Sequence, residues 1–163
     1  MQQPASAEFR RAVSRFTTGV TIITTKGPDD EVVGMTVNSF TSVSLEPPTV
    51  LVSVMQGRTL RAIEMRGRFG INVLPASARD LTHHFAGRQV PGLVPDFERC
   101  GGMPRLAAAI AYFDCQVEKS LVVADHTLLI GAVRECSYAD ADPLVFFSSQ
   151  YRNLCDEDCE GTS

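Results

Sequence analysis

The spacing of apolar residues along the chain changes period several times, and each change marks an element. Phe9, Ala12, Val13 and Phe16 recur on one helical face while Arg10, Arg11 and Arg15 fall on others, which predicts a helix over residues 5–16 capped by Ser6 and closed by Gly19. Val20 to Lys26 is a β-rich run, and the turn signal GPDDE, Gly27 to Glu31, makes a hairpin into a second strand from Val32. There Met35 and Val37 alternate with Thr36 and Asn38, until Phe40 breaks the phase and Val43 and Leu45 restore it. A bulge or kink near Asn38 to Phe40 accounts for the slip and gathers Asn38, Ser39, Thr41 and Ser42 on one concave side, unless the segment is an ordinary hydroxyl-rich edge strand and loop. Pro47 and Pro48 end the pairing and turn the chain. Thr49 to Met55, apolar except for Ser53, predicts a strand buried on both faces.

Farther on, Arg58 to Arg66 reads as a short helix with Leu60 and Ile63 inward, followed by an alternating strand through Phe69, Ile71 and Val73 that Pro75 stops. Ser77 and Asp80 resemble a capping box, so Ala78 to Ala86 is expected to be helical. Gly87 to Pro104 holds four glycines and three prolines and reads as a long loop of the kind that serves function. Leu106 to Val117 and His126 to Tyr138 are long strands joined around Glu118 to Asp125, and Leu144 to Phe147 is a short last one. About seven strands against three short helices, with no βαβ alternation, predict a mainly β antiparallel barrel. One domain over residues 1–153 and an acidic tail over 154–163 complete the organisation.

Composition narrows the function classes. Of the 163 residues 44% are hydrophobic and 21% charged, as in a globular protein, and no apolar run is long enough for a membrane span. The N-terminus lacks the apolar centre of a secretory signal, so the cytoplasm is the expected compartment. Five cysteines without CxxC spacing argue against a disulfide framework; Cys115 and Cys136 are expected in the core, and Cys155 and Cys159 as exposed thiols in the tail. Residues 1–90 carry ten Lys/Arg and seven Asp/Glu (net +3), whereas residues 91–163 carry five and twelve (net −7), so phosphate is welcome in the first part. Just two lysines and an overall charge of −4 disfavour nucleic acid. Neither GxGxxG nor a P-loop occurs, and the neighbouring His83 and His84 diverge on a helix, so no metal site is expected.

Read together, FRRAVSRFTTGVTIITT from Phe9, VGMTVNSFTSVSLEPPTVLVSV from Val33 and GRFGINVL from Gly67 resemble the flavin reductase family, over residues 8 to 153. The resemblance implies a split β-barrel of the FMN-binding type, a homodimer, and an NADH-dependent reductase that passes reduced FAD or FMN, FAD slightly preferred, to a separate monooxygenase. It assigns Thr36, Val37, Asn38, Ser39, Phe40, Thr41 and Ser42 to the flavin, with Ser53, Val54 and Met55 beside the ring. Arg58, Thr59 and Leu60 fall toward the phosphate and ribityl chain, and Phe85, Ala86, Gly87 and Arg88 match another flavin segment. For the nicotinamide the family pattern Gly-Asp-His-Thr is matched by Ala124-Asp125-His126-Thr127, which makes His126 the candidate catalytic residue. Alanine in the glycine's place puts the aim of His126 in question if that position needs a positive φ. Tyr151 and Arg152 are candidates to cover the nicotinamide or its pyrophosphate. Hydride transfer suits a chain so poor in acid and base groups, because the cofactors carry the chemistry and the protein supplies position. A flavin carrier without catalysis and a flavin-free β-barrel interaction module are the other readings.

Overall fold

A computed structural model describes residues 4–88, 90–98 and 102–154; the acidic tail beyond Leu154, with Cys155 and Cys159, and also Cys100, lie outside them. In chain order the first half runs α1 (Ser6–Val13), β1 (Thr18–Gly19), β2 (Thr21–Lys26), β3 (Val32–Val37), β4 (Thr41–Leu45), β5 (Pro48–Met55) and α2 (Arg58–Arg66). The second runs β6 (Arg68–Val73), a 3-10 turn (Ala76–Ala78), α3 (Arg79–Phe85), β7 (Phe97–Glu98), β8 (Arg105–Leu106), β9 (Ala111–Val123), β10 (His126–Tyr138), β11 (Val145–Phe147) and β12 (Gln150–Arg152).

Seven strands form one antiparallel sheet in the order β3-β2-β6-β9-β10-β5-β4. β3 and β4 are separated by three residues in sequence yet occupy opposite edges of the sheet, so Asn38, Ser39 and Phe40 carry the chain from one edge to the other. The phase slip read at Phe40 is therefore an edge-to-edge crossing. A true register shift follows, between Ser42 and Ser44, where β4 pairs with β5. Ser39 ties the crossing down: its hydroxyl donates to the carbonyl of Ser53 (2.9 Å) and accepts from the Ser53 N–H (3.0 Å), in the middle of β5. The sheet thus curls into a mainly β split barrel.

Two apolar cores lie on the two faces of β2. Ile23 points into the barrel with Val50, Val52, Val54, Leu60, Ile63, Phe69 and Ile71, while Val20 and Ile22 pack on the other side with Leu74, Leu81, Leu106 and Leu144. β2 is consequently buried along nearly all its length. β5 is not: Val50, Val52 and Val54 are buried, but Thr49, Leu51 and Ser53 are half-exposed, because β5 lies next to the sheet edge and one of its faces looks outward. α2 has the predicted ends and buries Leu60 and Ile63 completely, with Gly67 closing it at φ 66°.

Other expectations are corrected. α1 stops at Val13; Ser6 is its first residue rather than its cap, Ala5 stands at the cap without a side-chain bond, and Gly19 belongs to β1. α3 begins at Arg79 after the 3-10 turn, and no side chain caps it, so Ser77 and Asp80 form no capping box. β9 continues to Val123, leaving a two-residue turn, Ala124 and Asp125, before β10. Cys115 is fully buried, and burial pushes its thiol pKa up to about 12, which makes it inert. Cys136 is exposed, because the register of β10 against β9 shifts between Val133 and Glu135. A final strand, β12, carries Tyr151 and Arg152 back along β11. Among the described residues no helix is long and apolar enough to cross a membrane, and no cluster of three or more metal-ligating side chains occurs.

Candidate functional site

Four elements meet around a cavity of about 500 Å³, a size suited to an organic cofactor. β3 supplies Gly34, Met35, Thr36 and Val37; the crossing supplies Asn38 and Ser39; the end of β5 supplies Ser53 and Met55. The end of α3 adds Phe85, Ala86 and Gly87, and β10 begins there with His126, directly across from Met55 in the ladder. Ten of the residues read from the sequence as cofactor contacts are thereby brought together. Gly34 and Met35 join them without having been singled out. The signal was a glycine inside a strand: a Cβ on Gly34 would come within 2.9 Å of the Ile23 carbonyl and of the Phe85 ring, so only glycine admits that ring.

The hydroxyl groups are not equally free. Thr36 donates to the Thr82 carbonyl (2.9 Å) and fastens β3 to α3, Thr59 donates to the Gly34 carbonyl (3.1 Å), and Ser39 is spent on β5. Asn38 is exposed, and its side chain makes no hydrogen bond to a described residue, so its amide is available to a ligand.

His126 is aimed by its turn. Its Nδ1–H donates to the Asp125 carboxylate (2.8 Å), which leaves Nε2 for a ligand. The same hydrogen bond from His126 holds the Asp125 carboxyl below its ordinary range. Gln56 locks the turn from outside: its N–H donates to the Asp125 carbonyl (3.3 Å) and its side-chain amide donates to the Thr127 hydroxyl (3.1 Å). Ala124 adopts φ 54°, the left-handed conformation that a glycine would take without strain. The turn is therefore intact despite the alanine, at a cost of about 1 kcal/mol.

Several expected contacts lie elsewhere. Val54 and Leu60 are buried in the barrel and do not line the cavity, and Phe40 stacks on Phe113 with centroids 5.4 Å apart against the same core. Thr41 and Ser42 are exposed on the edge strand β4 and do not line the cavity. Arg58 pairs with Glu31 at 2.8 Å, its side chain 70% exposed, and this hydrogen bond keeps the Glu31 carboxyl below its ordinary range. A pair so open to water exchanges readily for another anion. Arg152 is held by the side-chain oxygen of Gln150 (2.6 Å). Arg88 and Tyr151 border a separate cavity beyond Ala86.

Residues 13–155 match the family model described as "Flavin reductase like domain". The NADH-dependent flavin reductase StyB of Pseudomonas fluorescens is 42% identical over 147 residues, 88% of this chain and 86% of that protein. Among solved structures, flavin reductase PheA2 superposes with a TM-score of 0.89 at 38% identity, covering 94% of this chain and all of that one. The styrene monooxygenase flavin reductase of Pseudomonas putida S12 gives 0.84 at 40% identity, over 90% and 97%. Further relatives are named as NADH-dependent reductases of FMN or of FAD and as reductase components of monooxygenases. The chain belongs to the flavin reductase like domain family.

Proposed function

We propose that this protein is an NADH-dependent flavin reductase that supplies reduced flavin to a separate monooxygenase. The observation that carries the reading is the convergence of the crossing, the end of α3 and the aimed His126 on one cavity. When bound, a reduced nicotinamide would supply the hydride and a flavin would supply its acceptor, so the chain's own task is to hold and orient the two. The residues fit that role. The backbone from Thr36 to Ser39 and the Asn38 amide offer hydrogen bonds to the polar edge of a flavin, and Met55 and Phe85 offer apolar flanks. His126, across from Met55, holds the nicotinamide through Nε2, and its fixed ring restricts the donor to one orientation. No proton need be stored at the site for the transfer itself, so the scarcity of acids and bases is no handicap.

The flavin is FAD or FMN, with FAD favoured by the room beyond Ala86. A homodimer is supported by α1: eight residues long, with none of them buried, it presents Phe9 and Val13 to solvent at 61% and 53% exposure, and Phe16 just beyond it is 76% exposed. So short a helix needs a packing surface to persist, and a second copy supplies one. The cytoplasm, where NADH is made, is the expected site of action.

NADH oxidation by the purified protein, with and without free FAD, tests the reading. Many equivalents of FAD should turn over per protein. Binding without turnover would make the chain a flavin carrier, and neither binding nor turnover would make it an interaction module. Sedimentation should give twice the 17.7 kDa chain mass.

A further inference from the structure

We infer that Glu31 is a specificity-determining residue that competes with the flavin phosphate for Arg58, so that a phosphate adds little to the affinity of a flavin; the inference rests on the flavin reductase reading. Arg58 opens α2, and its neighbour Thr59 donates to the carbonyl of Gly34, which lines the flavin-sized cavity. Arg58 is therefore rooted beside the cavity wall. Its guanidinium, however, is engaged by Glu31 at 2.8 Å, and Glu31 is its one partner among the described residues. Glu31 stands three residues before Gly34 along the chain that leads into β3, a separation of about 10 Å in extended backbone.

The two partners are held unequally. Glu31 is built into its turn: Oε2 of its carboxylate accepts from the Asp29 N–H (3.0 Å), and its carbonyl accepts from the Gly27 N–H (2.8 Å). A Cβ on Gly27 would collide with the Glu31 carboxylate, so the turn keeps a glycine where the carboxylate has to lie. The neighbouring Asp30 does not share the task, because it is taken by Arg66 at 2.6 Å. Arg58 has no such anchor, and its side chain is 70% exposed against 34% for Glu31. The arginine can leave the carboxylate; the carboxylate cannot follow it.

A phosphate entering beside Gly34 offers the planar fork of the guanidinium two oxygens at once. To take it, Arg58 gives up an anion of its own chain, so the gain is an exchange of one ion pair for another. Riboflavin, which lacks the phosphate, neither makes the exchange nor pays its cost. Weak discrimination of this kind suits a reductase whose flavin must depart for a separate monooxygenase, and Glu31 is the residue that sets it.

Glu31→Gln keeps the length of the side chain and an oxygen for the Asp29 N–H while removing the charge, and an unchanged melting temperature without ligand would verify that the turn is retained. The parent, Glu31→Gln, Arg58→Gln and the double variant would be titrated with riboflavin, FMN and FAD at low ionic strength, followed by flavin fluorescence. Glu31→Gln should bind FMN and FAD roughly two- to fivefold more tightly than the parent, with riboflavin unchanged. Arg58→Gln should weaken FMN and FAD about threefold or more, and the double variant should match Arg58→Gln alone, because Glu31 acts only through Arg58. Equal FMN and FAD affinity in the parent and Glu31→Gln would overturn the competition. So would a gain that persists without Arg58, which would make Glu31 a plain repulsive charge. Reduction of riboflavin by NADH in the parent shows separately whether the flavin reductase reading stands.

Discussion

Two polar regions of this barrel use the same kinds of side chain to opposite ends. Under the return of the long loop, Asn72 is wholly buried and every arm is engaged: its amide donates to the Ile22 carbonyl and the Thr24 hydroxyl, and its oxygen accepts from the Leu106 N–H at 2.7 Å. Beside it Asp114 accepts from the Met103 N–H and from Arg68, and the Tyr112 hydroxyl donates to the Met103 carbonyl. In the cavity, Asn38 keeps its amide free, and His126 is bonded to a solvent-exposed carboxylate alone. The buried cluster spends its hydrogen bonds on holding the loop; at the cavity Asn38 withholds its own. Location, not residue type, separates stability from function here.

The largest effect should come from Asn72→Ala, which strands the buried Leu106 N–H and removes the amide's bonds to the Ile22 carbonyl and the Thr24 hydroxyl. Urea unfolding should show a loss of about 2–4 kcal/mol, with flavin affinity of the folded protein within twofold of the parent. Lost flavin binding at unchanged stability would reverse the contrast.

Next in size is His126→Ala. It should lower kcat/KM for NADH roughly five- to a hundredfold while flavin affinity and melting temperature stay put. A variant that unfolds would place His126 with the structural group instead. Asn38→Ala should follow, weakening flavin by about 1 kcal/mol in a fluorescence titration and leaving urea stability unchanged.

The smallest effect belongs to Asp125→Asn, which loosens the aim of His126 without touching a ligand, and should cost about two- to threefold in kcat/KM for NADH. The direction with pH follows from the lowered carboxyl of Asp125. A depressed carboxylate stays charged above its ordinary range, so its hold on His126 is complete at neutrality and is lost only as pH falls through the depressed value. The acid limb of kcat/KM for NADH should therefore lie below the ordinary carboxylate range in the parent and change shape in Asp125→Asn.

What could be read in advance follows the reach of each signal. α2 was legible to its ends because its apolar period and closing glycine are local. The long arm of β9 was not: a register shift between Ile130 and Gly131 sets Val117 and Lys119 around an unpaired Glu118, and beyond it Leu121, Val122 and Val123 are all exposed, so no buried face imposes alternation. Cys136 misled for the same reason, one bulge having exchanged its faces. In the site, Asn38, Ser39 and His126 were found through their motifs, whereas Val54, Leu60 and Phe40 sit in those motifs as core.

The crossing at residues 38–40 also bears on how the chain folds. Ser39 meets Ser53 within the local β4–β5 hairpin, but the cavity closes only when β10 is laid against β5 and α3 against β3, a seam between residues far apart in the chain. Local pairing cannot produce that seam, and such non-local closure is slow. The cavity is then the last part of the molecule to take shape, and flavin should slow unfolding more than it speeds folding.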